Sequence, residues 1–539
     1  MDILRQVKLA TLVLAAALAA GCAATSSTPS SAQPTASSNT PKPGGMLSVL
    51  MNQSGDPISF DLHQESGSAT METAGPIYEN LVAFDAGDPT KIVGELAESW
   101  SFSADGRTMS IALRKGVRFQ NGDAFTSADA KFSLERVISP PRGVVSPRGP
   151  AFAAVDRIDA PDEYTLRITL KRPNSSLIAN LAQGWMAVYS KKWVEAKSQD
   201  IPKTELNGTG PFRLKTYLPG NNFEVERSAD YWRFNVPYLD GVKTLIVPDF
   251  STRVAAFRTG QVHIERLFAA DAKQLKTDLG QQITVVEQSA PSFGALYMNT
   301  RRAPFDNPLV RQAVNLAVDR YQGVQVLAQG GGDIGGYMMP GGAWALPTEE
   351  IAKLPGYAKD KAPDIAKAID LLKQAGYPSG FPSDLVTRTG QTNVATATLM
   401  QDQLKKIGIS ATIVPIDSAT ATGRANAGEF QLLTWGHEFA LDDPDAVYGE
   451  FYACDGVRNW SRLCSSEFDA LYQQQSQELD PFKRHALVQQ MERLGIPLGG
   501  KIVTHWNHRI DGMWSYVKNY VQHPSPFTNV RYREVWLDK

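Results

Sequence analysis

Apolar residues recur at every second position in GRTMSIALRKGVRF, Gly106 to Phe119, where Met109, Ile111 and Leu113 share one face. This alternation predicts a half-buried strand that runs toward the turn at Asn121-Gly122. EYTLRITL, Glu163 to Leu170, alternates in the same way, and MLSVLMN, from Met46, reads as a further strand punctuated by Gly55, Asp56 and Pro57. Between them, TSADAKFSLERVI offers Thr126 or Ser127 as an N-cap and Asp129 in the first turn, which predicts a helix to about Ile138. The first half therefore reads as antiparallel strands with occasional helices.

The second half changes period. Ile365, Ala368, Ile369 and Leu372 lie at helical spacing before Gly376, a strand is predicted around Asp384 to Arg388, and a helix follows from Val394 to Ile407. Gly408 ends that helix, and ISATIVPI alternates as the next strand. A strand, helix and strand joined this tightly predict a parallel pair with a right-handed crossover. Asp480-Pro481 opens one more helix, and KIVTHWNHR and VRYREVWL close the chain as strands. The fold class is α/β, with a mixed α+β character, and no internal repeat of fixed period is visible.

Composition narrows the function classes. Hydrophobic residues make up 42% and charged residues 20%, and 54 Lys and Arg stand against 56 Asp and Glu, a net charge of -2. A near-neutral balance with no basic run argues against nucleic acid as a partner. Past the N-terminus no apolar segment reaches the about 20 residues that a membrane span requires, which excludes a channel or permease.

At the N-terminus Arg5 and Lys8 precede an apolar stretch from Leu9 to Ala20, too short to span and typical of a secretory signal over residues 1–21. Cys22 follows Ala19-Ala20-Gly21 directly and resembles the lipidated cysteine of a bacterial lipobox, with Ala19 standing where Leu or Val is commoner. Acyl chains contribute ~0.8 kcal/mol per buried methylene, enough to hold the mature protein at a membrane. Residues 22–45 are mostly Ser, Thr, Ala and Pro and read as a disordered tether. Cys454 and Cys464 lie ten apart in an exported chain, so a disulfide is expected.

Candidate chemistry is sparse. GGGDIG, Gly330 to Gly335, matches G-x-G-x-x-G, but a helical pattern, Arg311 to Leu327, precedes it, so a surface loop is expected and no nucleotide. In HWNH, His505 to His508, strand alternation sends the two histidines to opposite faces, so no metal site is expected. Neither G-x-S-x-G nor H-E-x-x-H occurs, and neither an enzyme nor a cofactor is indicated. Thr434 to Gly456 combines aromatic residues, carboxylates and a proline. It is either a solvated loop with Asp442 or Asp443 capping a helix, or a cleft wall in which Trp435 lines the ligand and Glu438, Asp442 or Asp443 faces a ligand amine. Arg388 ends a predicted parallel strand, where open α/β sheets bind ligands, and its guanidinium could take a carboxylate; a plain surface arginine is the alternative.

Many blocks, in order, resemble the family-5 extracytoplasmic solute-binding proteins, the peptide- and nickel-binding class that serves ATP-driven importers. They include IYENLVAFD (Ile77 to Asp85), GELAESWSFSADGRTMSIALRKGVRFQNGDAFTSADAKFSLERV (Gly94 to Val137), GTGPFRL (Gly208 to Leu214) and YMNTRRAPFDNPLVRQAVNLAVDR (Tyr297 to Arg320). DLLKQAGYPSGF (Asp370 to Phe381) and NWSRLCSSEFDALY (Asn459 to Tyr472) continue the series. The resemblance implies a two-lobed clamshell. Residues 46–285 with 505–539 would form the first lobe, with a strand-rich insertion at about 75–180, and residues 286–504 the second. It also implies a monomeric receptor that closes on a small solute, most simply a short peptide, and delivers it to a permease and ATPase on separate chains.

Trp435-Gly436-His437-Glu438 resembles the segment that holds a peptide ammonium, Arg388-Thr389-Gly390 the segment that holds its carboxylate, and Glu65 falls near a first-lobe ligand position. The departures are a Glu where Asp is usual and a longer path from Trp435 to Asp443-Pro444. An opine, an oligosaccharide or a nickel chelate is the alternative ligand, His437 keeping nickel open; an exported hydrolase and a sensing module are the rival functions.

Overall fold

The computed structural model describes residues 40–51, 55–528 and 530–539. The signal segment, Cys22 and the tether up to residue 39 lie outside the described residues. Its organising feature is a pair of long antiparallel strands, Ile283–Met298 and Lys501–Trp514. On one side of this pair lie, in order, Leu432–Glu438, Phe381–Arg388 and Ile409–Ile416. On the other lie Ile264–Arg266, Met46–Leu50, Gly241–Leu245, Asn222–Arg227 and Phe212–Leu218.

Apolar side chains divide along that pair. Ile283, Ile510 and Met513 join cores built around Phe257, Leu275, Leu47, Phe212 and Phe223. Phe293, Leu296, Ile502 and Trp506 join cores built around Leu433, Phe451, Val314 and Leu404. Two packed bodies thus share two strands, and the pairing is irregular where they meet, between Ser289/Phe293 and Gly294/Ala295. Each fully buried Leu, Ile or Phe contributes ~1.5–3 kcal/mol, so each body has ample apolar surface to hold itself together.

Phe381–Arg388 and Ile409–Ile416 pair in parallel across the helix Gln391–Lys405, as the pattern predicts. The helix starts three residues before the expected Val394, because Gly390 at φ +110° turns the chain into it. The alternating stretches of the first half form a separate antiparallel sheet, ordered Ala97–Phe102, Thr108–Leu113, Thr165–Leu170 and Val155–Asp162. Met109 faces Ile168 and Ile111 faces Leu166 across it. The helix Ser127–Ile138 covers this core, its start fixed by the Thr126 N–H donating to Asp129 at 3.0 Å. Cys454 and Cys464 are joined in a disulfide.

Two expectations are corrected. The helical pattern Arg311 to Leu327 is two helices, Pro308–Ala317 and Arg320–Leu327, with Asp319 capping the second by accepting from the Gln322 N–H. GGGDIG is not a free loop. Gly332–Asp333 pairs with Asn507 and Trp506, where an added Cβ on Gly332 would stand 2.3 Å from the Trp506 carbonyl oxygen. No described helix is long and apolar enough to cross a membrane.

Candidate binding cleft

The parallel strands Phe381–Arg388, Ile409–Ile416 and Leu432–Glu438 end on one side, the carboxyl edge where open α/β sheets take ligands. A cavity of about 370 Å³ opens there, and it is lined from both bodies. Arg266 and Phe268 come from one body, Asn393, Trp435 and Gly436 from the other, and His508 from the shared pair.

Alternation along Leu432–Glu438 decides what each residue does. Leu433, Trp435 and His437 turn toward one core, while Gly436 leaves open space on the other face. The His437 ring is buried among Phe293, Phe451 and Trp460 and bonds the Tyr297 hydroxyl at 2.6 Å. Burial pushes its pKa well below the usual 6.5, so it is a neutral core histidine and no ligand for nickel in the cleft. Trp435 is only half-buried, edge-on to Trp460 with centroids 4.8 Å apart.

Arg388 lies over the Trp435 ring with its guanidinium carbon 4.2 Å from the centroid. It donates to the Asn393 side-chain oxygen at 3.2 Å, and its Nε is buried without a partner among the described residues. No carboxylate pairs with it among the described residues, and burial lowers its pKa. Thr389 and Gly390 act through backbone: the Thr389 N–H donates to the Ile416 carbonyl, the Thr389 carbonyl accepts from the Asn393 side chain at 3.0 Å, and the Gly390 carbonyl accepts from the Val394 N–H at 3.0 Å.

The four carboxylates expected near the ligand separate. Glu438 is on the cleft side and is held by Arg266 at 3.2 Å. Asp442 is packed against the loop Met339–Gly342, where a Cβ on Gly342 would come within 2.3 Å of its Oδ2. Burial raises its pKa to about 7, and its Oδ1 has no hydrogen-bond partner. Asp443 caps the helix Pro444–Phe451 and forms a buried ion pair with Arg484 at 3.1 Å, so its carboxylate serves the core and not the cavity. Glu65 precedes the helix Ser68–Ala74; its carbonyl accepts from Arg148 at 2.5 Å, and burial raises its carboxyl pKa.

His505 and His508 both line the cavity, against the expectation of opposite faces, because the pairing loses register beside them. His508 stands between Glu287 (Nδ1, 2.6 Å) and Asp333 (Nε2, 2.8 Å). Its two nitrogens point at different carboxylates, so the three groups do not converge on a metal, and no metal-binding group of three exists among the described residues. Sequence reading missed Arg266, Asn393 and His508 as cleft residues. In the sequence His508 stands out only as half of a metal pair, and Asn393 lies just before the helix expected from Val394; Arg266 carries no signal.

The family described as bacterial extracellular solute-binding proteins, family 5 Middle, matches residues 91–459. The di/tripeptide-binding protein 1 of Pseudomonas aeruginosa is 29% identical over 475 residues, covering 83% of this chain and 86% of that one. Among solved structures, the periplasmic binding protein DppA of Helicobacter pylori, in complex with the peptide STSA, superposes with a TM-score of 0.77 at 26% identity, over 92% of this chain and 99% of that one. AgaA of A. tumefaciens R10, in complex with agropinic acid, superposes with a TM-score of 0.75 at 25% identity, over 92% of this chain and 99% of that one.

Proposed function

The chain belongs to the bacterial extracellular solute-binding proteins of family 5, and from that premise we propose that it captures a short peptide between its two bodies and delivers it to an ATP-driven importer. The family is one of receptors, and the protein's work on this reading is binding and release without chemistry. The peptide reading is supported by the di/tripeptide-binding relative and the peptide-bound neighbour.

One observation carries it. Arg388, at the carboxyl edge of the parallel strands, has a buried Nε without a partner and an aromatic wall in Trp435. A half-buried guanidinium lacking an anion loses hydration without compensation, and a ligand carboxylate would restore two charge-assisted hydrogen bonds. Micromolar affinity requires only about -8 kcal/mol, which such a clamp and aromatic packing can supply.

The lobes we place at residues 46–285 with 505–539, and 286–504, with the hinge in the irregular stretch Ser289–Phe293 facing Trp506–His508. The divided cores support this. Closure would then bend two strands and expose one composite surface to the permease. Cys22 would anchor a monomer beside that permease through acyl chains.

An opine-like ligand is the second reading, favoured by the agropinic acid complex of AgaA. Native mass spectrometry of protein purified without denaturation, with identification of the released ligand, separates the two. A set of short peptides supports the first; one non-peptide mass overturns it.

A further inference from the structure

Within the cleft, charge is not evenly matched. Among the residues lining the cavity, Arg253, Arg266 and His508 can carry positive charge, and none is Asp or Glu. The nearby carboxylates each hold a cation already. Glu265 pairs with Arg253 at 2.6 Å, Glu287 and Asp333 share His508, and Glu438 pairs with Arg266. Arg388, which lies over Trp435 beside the cavity and is not one of its lining residues, faces no carboxylate among the described residues.

Arg266 ends a strand of the first body, and Glu438 ends a strand of the second, 172 positions away. Their contact therefore reaches over the two shared strands, and the guanidinium sits on the one acid of the Trp435 segment that is on the cleft side. A ligand ammonium brought there would have to displace or crowd Arg266, at the cost of like-charge repulsion in a partly desolvated site. A ligand carboxylate meets no such obstacle at Arg388.

We propose that Arg266 occupies the ammonium position on Glu438, so that the cleft selects peptides by their C-terminal carboxylate and accepts a blocked N-terminus as readily as a free one. This rests on the peptide reading above and makes Arg266 a specificity-determining residue. The ligand class it assigns is carboxylate-terminated peptides and N-acyl peptides alike.

Titration calorimetry with Ala-Phe and Ala-Ala-Ala-Phe, each free, N-acetylated and C-amidated, tests it. Acetylation is expected to change Kd less than tenfold, and amidation to weaken binding at least tenfold. A tenfold or greater loss on acetylation, or none on amidation, overturns the proposal while the peptide reading stands. If no free peptide binds, the peptide reading fails and the proposal with it. In Arg266→Gln, Glu438 becomes available and acetylation should now cost tenfold or more, whereas Arg266→Lys should keep the tolerance; unchanged tolerance in Arg266→Gln overturns the role of Arg266.

Discussion

The hydroxyl of Ser176 donates to the Asp443 carboxylate at 2.6 Å, across 267 positions of sequence. Arg484 completes the group, reaching Ser176 at 2.8 Å and Asp443 at 3.1 Å, and all three side chains are buried. Beside it Ser175 donates its N–H to the Ser476 carbonyl at 3.0 Å. The segment that follows the four-stranded sheet is thus tied to the helices Ser466–Gln477 and Pro481–Leu498.

Asp443 is consequently expected to matter for stability more than for ligand. Asp443→Ala leaves the Arg484 charge buried and alone, and breaking such a pair costs ~3–5 kcal/mol. Urea unfolding should show a loss of that order, with calorimetric ligand affinity changed little once the variant is folded. A variant as stable as the wild type would show that the carboxylate is not what holds Arg484.

Arg388 should behave in the opposite way. Removing a charged hydrogen-bonding partner costs ~1.5–3 kcal/mol, so Arg388→Gln should weaken binding by about ten- to a hundredfold. Because the Arg388 charge has no carboxylate partner among the described residues, the melting temperature of the unliganded variant should stay level or rise. Unchanged affinity for the co-purified ligand would remove Arg388 from the site.

His508 makes the shared strands sensitive to pH. Both ring nitrogens face carboxylates, which holds the imidazolium form and raises the His508 pKa above 6.5, the hydrogen bond to Asp333 being the largest cause. A raised folded pKa stabilises fully below the unfolded value of 6.5, and the contribution is lost as pH rises through the folded value. Asp333 is lowered below 3.8, chiefly by its hydrogen bond to His508, so its own contribution is complete above 3.8 and is lost only as pH falls below that through the folded value. The stability gap between wild type and His508→Gln should therefore be widest between about pH 4 and pH 6.5 and narrow in alkaline buffer. A gap independent of pH would mean that His508 stays neutral.

The disulfide closes a short loop beside the Trp460 segment. Replacing Cys454 and Cys464 together by Ser should cost ~2–3 kcal/mol on the loop-entropy account. Trp460 packs against Trp435 and bonds the Asn426 side chain at 2.9 Å, so loosening this loop should also weaken ligand binding. Equal affinity in the double variant would show that the aromatic wall is held by its own packing.

Much of this molecule was legible in the chain. Alternation at Met109, Ile111 and Leu113 and helical spacing at Ile365, Ala368 and Leu372 specify elements because burial on one face is a local property of the pattern. The crossover from Phe381–Arg388 to Ile409–Ile416 follows from short connections, and it puts Arg388 at the ligand edge of the sheet. Tertiary structure alone decided which charges face one another. Glu438, Asp442 and Asp443 look alike within six positions, yet one meets Arg266, one a glycine loop and one Arg484. Those partners come from segments far off in sequence, so a carboxylate's role depends on distance and desolvation that no local pattern encodes. The same holds for His437, whose strand parity turns it into the core, and for His508, whose two acids come from separate strands.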